Sequence, residues 1–177
     1  MKITKTYATL ALTSTLFFAG QLQADQITGT MGVTAVIGDG CQVDNVSTGG
    51  GSNDFGTLDF GTLSSLTAYI DAQGGGAAGA GFQFTCTSGL PYQIGLDTGL
   101  YASGGDRRMS DGSNFIPYEL YQDSARSVPW GEIGSADQLT SSGTGSQQTH
   151  VVYGRIPPTT TPPAGTYNDT VQVTVTW

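Results

Sequence analysis

The last eleven residues, YNDTVQVTVTW (167–177), carry the clearest structural signal in the chain. From Thr170 onward polar and apolar residues alternate without interruption, so successive side chains of an extended strand would point to opposite faces. The apolar face consists of Val171, Val173, Val175 and Trp177. This pattern predicts a half-buried β-strand and sets the period to look for elsewhere.

The same period of two recurs through the chain. Phe82, Phe84 and Cys86 share one face of a second run, and alternation also marks residues 66–72, 92–96, 118–121 and 150–153. Between these runs lie turn-forming stretches, among them triple glycines at 49–51 and 74–76. Several short alternating strands separated in this way predict an all-β fold, a β-sandwich.

One pentapeptide occurs twice in succession, as DFGTLDFGTL at 54–63. Asp-Phe-Gly is also a magnesium-binding signature of protein kinases, but those enzymes need a lysine on the nucleotide phosphates. The only lysines are Lys2 and Lys5. We therefore interpret the repeat as structural and not catalytic. It is expected to form two short extended segments that each bury a Phe and a Leu and bend at Gly56 and Gly61.

Residues 1–24 have the composition of a secretory leader. Lys2 and Lys5 precede an apolar run, and Leu22-Gln23-Ala24 offers a small-residue cleavage site. In residues 25–177, four arginines stand against 14 acidic residues, which leaves a formal net charge of −10. Such a chain repels nucleic acid and anionic lipid, so we expect no nucleic-acid partner and no membrane insertion after leader cleavage.

Two cysteines, Cys41 and Cys86, are the whole cysteine content. In an exported chain they are expected to form one disulfide, which would stabilise the fold by roughly 4 kcal/mol through chain entropy. A metal site is not favoured, because His150 is the only histidine and no C-x-x-C pair exists. We expect neither a metal nor a cofactor.

An alternating segment also precedes the first cysteine. Its apolar or small positions are Ile27, Gly29, Met31, Val33, Ala35 and Ile37. On general grounds such a segment is the first edge strand of the sandwich. At the other end, Trp177 is both an inward position and the last residue, so we expect the sheet to lack a closing strand.

Two short motifs suggest an enzyme. Asp97-Thr98-Gly99 matches the aspartic protease signature, but that site needs two facing aspartates and only one such motif is present. A Ser-His-Asp site would need His150, which lies in an alternating run without a nucleophile elbow. Both motifs are better explained as a turn and as a strand histidine, so we do not expect an enzyme.

Several blocks resemble the spore coat protein U domain family, which includes the archaic, Csu-like chaperone-usher pilins of Gram-negative bacteria. The similar blocks are Tyr118–Arg126, Trp130-Gly131, Val152–Pro157 and Pro163–Val171, with Gly40-Cys41, Phe55-Gly56 and Cys86. Phe60-Gly61 offers a second copy of the Phe-Gly element. The similarity covers nearly all of residues 25–177.

The resemblance implies an incomplete immunoglobulin-like β-sandwich that is completed by a donor strand from a neighbouring subunit. Residues 25–37 would then be the donor and residues 38–177 the pilin domain. The alternating positions Ile27, Gly29, Met31, Val33, Ala35 and Ile37 would face the neighbour's core. The positions lining the acceptor groove and meeting a chaperone would be Val171, Val173, Val175 and Trp177.

The family also implies partners and a location. The chain would leave through the periplasm with a chaperone, pass an outer-membrane usher, and join identical or related pilins in a cell-surface pilus that serves attachment and biofilm formation. The alternative is a secreted carbohydrate- or surface-binding module, an adhesin or coat protein. Its aromatic platform would draw on Tyr69, Tyr101, Tyr121, Trp130 and Tyr153.

Overall fold

The computed structural model describes residues 28–44, 47–49, 52–76 and 81–177. The expected leader, residues 1–24, and Ile27 lie outside this described part. Contacts divide the chain into two units, Met1–Val36 and Ile37–Trp177. In the first unit, residues 28–36 carry neither helix nor strand and are exposed.

Regular structure in the described residues of the second unit is entirely β-strand, and no helix there is long and apolar enough to cross a membrane. The strands are β1 (Cys41–Val43), β2 (Ser47–Gly49), β3 (Ser52–Asp54), β4 (Ile70–Gly74), β5 (Phe82–Cys86), β6 (Pro91–Leu96), β7 (Arg108–Ser110), β8 (Phe115–Pro117), β9 (Glu119–Tyr121), β10 (Leu139–Ser142), β11 (Gln147–His150), β12 (Val152–Ile156) and β13 (Val173–Thr176).

These strands form three three-stranded sheets, with the orders β1-β5-β11, β10-β6-β13 and β4-β12-β9. Two hairpin ribbons, β2-β3 and β7-β8, complete the set. All of these strand pairings are antiparallel. The all-β fold class predicted from the alternating runs is confirmed.

The inward faces of the sheets share one hydrophobic core, as in an immunoglobulin-like β-sandwich. Trp130 fills its centre: the ring lies 6.0 Å from Phe82, and Nε1 donates to the Ile94 carbonyl over 2.9 Å. The buried side chains are those that alternation selected in the central strands, together with residues from the loops. They are Leu66, Phe82, Phe84, Cys86, Tyr92, Ile94, Leu96, Ile116, Tyr118, Leu120, Trp130, Val152 and Ile156.

Cys41 and Cys86 are joined by a disulfide, which confirms the expected pairing. The two residues are direct partners in the β1–β5 register. Because antiparallel partners bring their side chains close together, the strand pairing itself places the two sulfur atoms within bonding range. The bond fixes the start of the sandwich to a central strand.

Two predicted strands are shorter or divided. The run at 66–72 becomes a strand only from Ile70, because Leu66 instead bonds to the crossover: its carbonyl accepts from Thr159 N and its N–H donates to Thr161 Oγ1. The run at 150–153 breaks at Val151, since the chain there leaves the sheet of β11 and enters the sheet of β12. The alternation of polar and apolar residues does not reveal where a chain passes from one sheet to another.

Candidate functional site

A groove of about 1540 Å³ runs along the second unit between two stretches of chain. We call residues 54–66, which contain the doubled pentapeptide, the repeat lip, and residues 161–173 the final lip. The floor between them is apolar. It includes Phe82, Leu96, Met109, Ile116, Tyr118, Leu120, Val152 and Ile156.

The repeat lip bends twice in the same way. The N–H of Gly56 donates to Asp54 Oδ1 over 2.9 Å, and the N–H of Gly61 donates to Asp59 Oδ1 over 2.7 Å. Both glycines have positive φ, at 80° and 75°, a conformation that other residues rarely adopt. Each Asp-Phe-Gly is therefore an aspartate-capped turn, and the repeated sequence has a repeated structural role.

Three side chains of the repeat lip pack on the core: Phe55, Leu58 and Phe60. Leu63, which the repeat predicts to be buried as well, is 38% exposed. A glycine of β12 provides the space beneath the lip, because a Cβ at Gly154 would lie 2.9 Å from both Leu58 Cδ atoms and from Phe60 Cζ. The lip is thus seated directly on the sheet.

The final lip is paired along one side only. Asn168 exchanges backbone hydrogen bonds of 2.9 and 3.0 Å with Ser110 in β7. Further along, the N–H of Asp97 donates to the carbonyl of Gln172 over 3.0 Å, after which β13 pairs with β6. The other side of this lip borders the groove.

The middle of the repeat lip also lacks backbone partners. Within the described part of the chain, residues 58–63 make no backbone–backbone hydrogen bond, although Thr57 O still accepts from Gly75 N over 3.4 Å. Two stretches of unpaired backbone on either side of an apolar floor form a site that can accept an additional β-strand.

A polar cluster links the final lip to the floor. Tyr118 donates from its hydroxyl to Asp169 Oδ2 over 2.6 Å, and burial raises the pKa of Tyr118, so the hydroxyl stays protonated and can donate. Asp169 Oδ1 accepts from the N–H groups of Leu100 and Thr170. Sequence reasoning placed Tyr118 in an alternating run but did not predict its contact with Asp169, because alternation carries no information about contacts 51 residues apart.

Arg107 is a second residue that the sequence did not single out. Its Nε donates to the Asp97 carbonyl over 2.8 Å, and its Nη2 donates to the carbonyls of Leu96 and Trp130 over 2.6 and 2.9 Å. The guanidinium therefore satisfies three carbonyls where β6 ends beside the groove floor. It lowers the cost of burying these groups.

Asp97-Thr98-Gly99 is a turn of the same kind as those in the repeat lip. Asp97 Oδ1 accepts from Gly99 N over 3.0 Å and from Gln172 N over 2.8 Å, and Gly99 has a φ of 80°. The carboxylate thus fixes a strand end to the final lip. In the described residues no group of three or more His, Cys, Asp or Glu side chains could hold a metal ion.

Residues expected to line the acceptor groove occupy different positions. Val171 and Val173 border the groove. Val175 is half-buried and packs against the core, whereas Trp177 is 60% exposed. Their assignment as acceptor and chaperone contacts stays a prediction.

The expected donor positions that the structure describes are exposed: Gly29, Met31, Val33, Ala35 and Ile37. Met31, Val33 and Ile37 are 85%, 82% and 88% exposed, which is unusual for alternating apolar side chains. The donor role also stays a prediction. Among the aromatic residues considered for a carbohydrate platform, Trp130 is buried and cannot present its ring to a ligand, while Tyr69 is 63% exposed.

Comparison with known proteins gives three results. One solved chain, in the crystal structure of the CsuC-CsuE chaperone-tip adhesion subunit pre-assembly complex from archaic chaperone-usher Csu pili of Acinetobacter baumannii, is 23% identical with a TM-score of 0.49. The alignment covers 80% of this chain and 40% of that one. "Protein U" of Myxococcus xanthus is 32% identical over an alignment of 163 residues that covers 88% of this chain and 87% of the relative. The model of the Spore Coat Protein U domain matches residues 27–174. The chain belongs to the Spore Coat Protein U domain family.

Proposed function

We propose that the chain is a structural subunit of a secreted chaperone-usher pilus and polymerises by donor-strand exchange. The observation that carries the proposal is a complementarity within one chain. The second unit has an apolar groove bordered by unpaired backbone, and residues 28–37 supply exposed apolar side chains at alternate positions.

Insertion of the donor segment into a neighbour's groove follows the physics of strand addition. Backbone hydrogen bonds to the lips would supply affinity, and the alternate side chains would fix the register. Burial of an aliphatic side chain contributes roughly 1.5 to 3 kcal/mol, so Ile27, Met31, Val33 and Ile37 together offer on the order of 10 kcal/mol before ordering costs. This is large enough for a persistent contact.

We infer that the donor runs antiparallel to the final lip, because antiparallel ladders are the more stable and are the pairing found among the thirteen strands. Each subunit would then offer a donor to one neighbour and a groove to another. Such a contact is heterologous, and it produces an open fibre when its rotation does not close a ring.

The same groove explains the need for partners before assembly. A subunit whose floor and backbone edges are uncovered is prone to aggregate, so a periplasmic chaperone would cover the groove, with Val171, Val173, Val175 and Trp177 as its contacts. The usher at the outer membrane would exchange that cover for the next donor. The product would be a cell-surface pilus that serves attachment and biofilm formation.

Deletion of Ile27–Ile37 tests this proposal. The shortened subunit should accumulate with its chaperone and form no fibres visible by electron microscopy, because its groove is intact but it has no strand to donate. Replacing Met31 and Val33 with Asp should have the same effect, since both charges would enter the groove. The matched control changes Thr30 and Thr34 to Asp on the opposite face and should still assemble. Fibres from the deletion variant would refute donor-strand exchange.

A further inference from the structure

The last part of the chain runs from the β7–β8 hairpin to the start of β6. Asn168 lies beside Ser110 in β7, and Thr176 lies opposite Gln93 near the start of β6. The eight steps between Asn168 and Thr176 span roughly 26 Å when extended. The two ends of this stretch are therefore surrounded by different surfaces.

We call the surface around Asn168 the hairpin pole; it consists of residues 111–115 and 163–167. The β7–β8 turn and the start of the final lip are close there, since a Cβ at Gly165 would lie 3.5 Å from Asp111 Oδ2. Asp111 Oδ1 accepts from the N–H groups of Ser113 and Asn114 over 2.8 and 2.7 Å, which stiffens the turn. Phe115 follows the turn and is 43% exposed.

The opposite surface, the tether pole, consists of residues 38–40, 87–89 and 143–145. Gly40 N donates to Thr87 Oγ1 over 3.2 Å, and Thr87 N donates to the Gly40 carbonyl over 2.9 Å. Gly89 N donates to the Gly143 carbonyl over 2.8 Å. This pole adjoins the start of β6, where Ser142 pairs with Pro91, and so it lies beyond the groove, near the Thr176 end of β13.

A short tether connects the expected donor strand to the sandwich. Only Gly38, Asp39 and Gly40 separate Ile37 from Cys41, and four residue steps span at most about 14 Å. If the donor enters antiparallel to the final lip, Ile37 leaves the groove at the neighbour's hairpin pole. The donating subunit's own tether pole must then lie within that distance of it.

We propose that successive subunits also touch outside the groove, with the hairpin pole of one copy against the tether pole of the next. The inference rests on the proposed function and adds a second contact surface to it. The two surfaces differ in side-chain size: Phe115 is 43% exposed at one pole, while Ser88, Gly89 and Gly145 are exposed at the other and have small side chains or none. Arg108 holds the Phe115 ring in place, with its guanidinium carbon 4.2 Å from the ring centroid.

A pair of engineered cysteines tests this contact. Ser113 and Ser88 are exposed, one at each pole. Fibres of the Ser113→Cys, Ser88→Cys double variant should, after mild oxidation, give a ladder of covalent multimers on a non-reducing gel. The control pair, Ser124→Cys with Ser88→Cys, lacks a cysteine at the hairpin pole and should give none.

The single variant Ser88→Cys distinguishes the two directions of insertion. A donor parallel to the final lip would bring two tether poles together, so Ser88→Cys alone would yield covalent dimers; the antiparallel arrangement leaves it monomeric on the gel. Covalent dimers from this single variant would overturn the inference, and so would fibres of the double variant that give no ladder. Neither result would contradict donor-strand exchange. Absence of fibres from the unmodified chain would overturn the proposed function and this contact together.

A second measurement does not depend on cysteines. Phe115→Ala should lower the temperature at which fibres dissociate and leave the melting temperature of the isolated subunit unchanged, because this ring is exposed in the single copy. Equal dissociation temperatures for the two fibres would contradict the pole-to-pole contact.

Discussion

The hydroxyl of Tyr118 donates to Asp169 Oδ2 over 2.6 Å and so joins the floor of the groove to its final lip. Tyr118 is buried, and burial beside Asp169 raises its pKa, so this proton stays on the tyrosine. The bond therefore links the floor and the final lip through residues 51 positions apart in the chain.

Tyr118→Phe should therefore destabilise the isolated sandwich. The loss removes a hydrogen bond to a charged acceptor, which contributes roughly 1.5 to 3 kcal/mol. The free energy of unfolding in urea is the measurement. Tyr101→Phe is the control, because Tyr101 is 40% exposed and its hydroxyl has no hydrogen-bond partner among the described residues, so its loss should stay within about 0.5 kcal/mol. Equal losses for the two variants would contradict the role assigned to Tyr118.

Val173→Asp should place a charge on the wall of the groove. Val173 is half-buried, borders the groove and packs on the core, so an unpaired carboxylate there should cost roughly 3 kcal/mol. We expect the subunit to disappear from the periplasm. Thr174→Asp changes the neighbouring exposed position and should leave the yield close to that of the parent chain. A normal yield from Val173→Asp would mean that the opposite face of β13 points inward.

His150 should make the stability depend on pH. Its Nε2 lies 2.7 Å from the Tyr92 hydroxyl, and burial lowers the pKa of His150 below its usual 6.5. The unfolded chain therefore binds a proton more readily, so the stability is complete above that value and falls as the pH falls through the lowered pKa.

Urea unfolding at about pH 7.5 and about pH 5.5 checks this dependence, because the aspartates remain ionised at both values. The parent chain should lose stability on acidification, and His150→Gln should lose less. Asp71, Asp111 and Asp123 have lowered pKa values, so their contributions are lost only below about pH 5 and do not affect the comparison. An identical loss in both chains would exclude His150 as the cause.

Gly154→Ala should displace the repeat lip. The added methyl group would lie 2.9 Å from the ends of Leu58 and Phe60, which must move away from the sheet. Overpacking of this kind costs roughly 1 to 3 kcal/mol. Gly38→Ala is the matched control, because a Cβ at Gly38 has no neighbour within 4 Å. Faster hydrogen exchange at the N–H groups of Gly75 and Gly76, which donate to the lip carbonyls of Thr57 and Phe55, would locate the displacement, and unchanged exchange there would contradict it.

The strands of the core were predictable because each buries one face. Alternation correctly selected Phe82, Phe84 and Cys86 as inward positions, and the same pattern selected Tyr92 and Ile94. The disulfide was predictable because only two cysteines were present. In these cases local composition and tertiary position agree.

The groove was only partly predictable. Val171 and Val173 follow from alternation, but the opposite side of the groove is formed by a repeat that lacks this period and bends at Gly56 and Gly61. The contact of Leu58 with Gly154 and that of Tyr118 with Asp169 are long-range, and no pattern in a single sequence encodes such pairs. The aspartate-capped turns were present in the sequence as Asp-x-Gly, a signal that occurs a third time at Asp97.

The most direct test of the donor segment is to move it within the chain. Trp177 directly follows β13, so residues 25–37 attached there through a short flexible turn could fold back along β13 and the final lip in the antiparallel direction. The segment would then fill the groove of its own subunit. We expect a soluble monomer that needs no chaperone and forms no fibres.

The gain in stability should be large, because groove and donor are covalently linked and the donor contributes on the order of 10 kcal/mol of apolar burial before ordering costs. A thermal melt compares this rearranged chain with the unmodified subunit freed of chaperone. A second rearranged chain with Met31→Asp and Val33→Asp is the control, since it keeps the connection but places charges in the groove, and it should melt near the unmodified subunit. If the rearranged chain melts no higher than this control, residues 27–37 do not complete the groove.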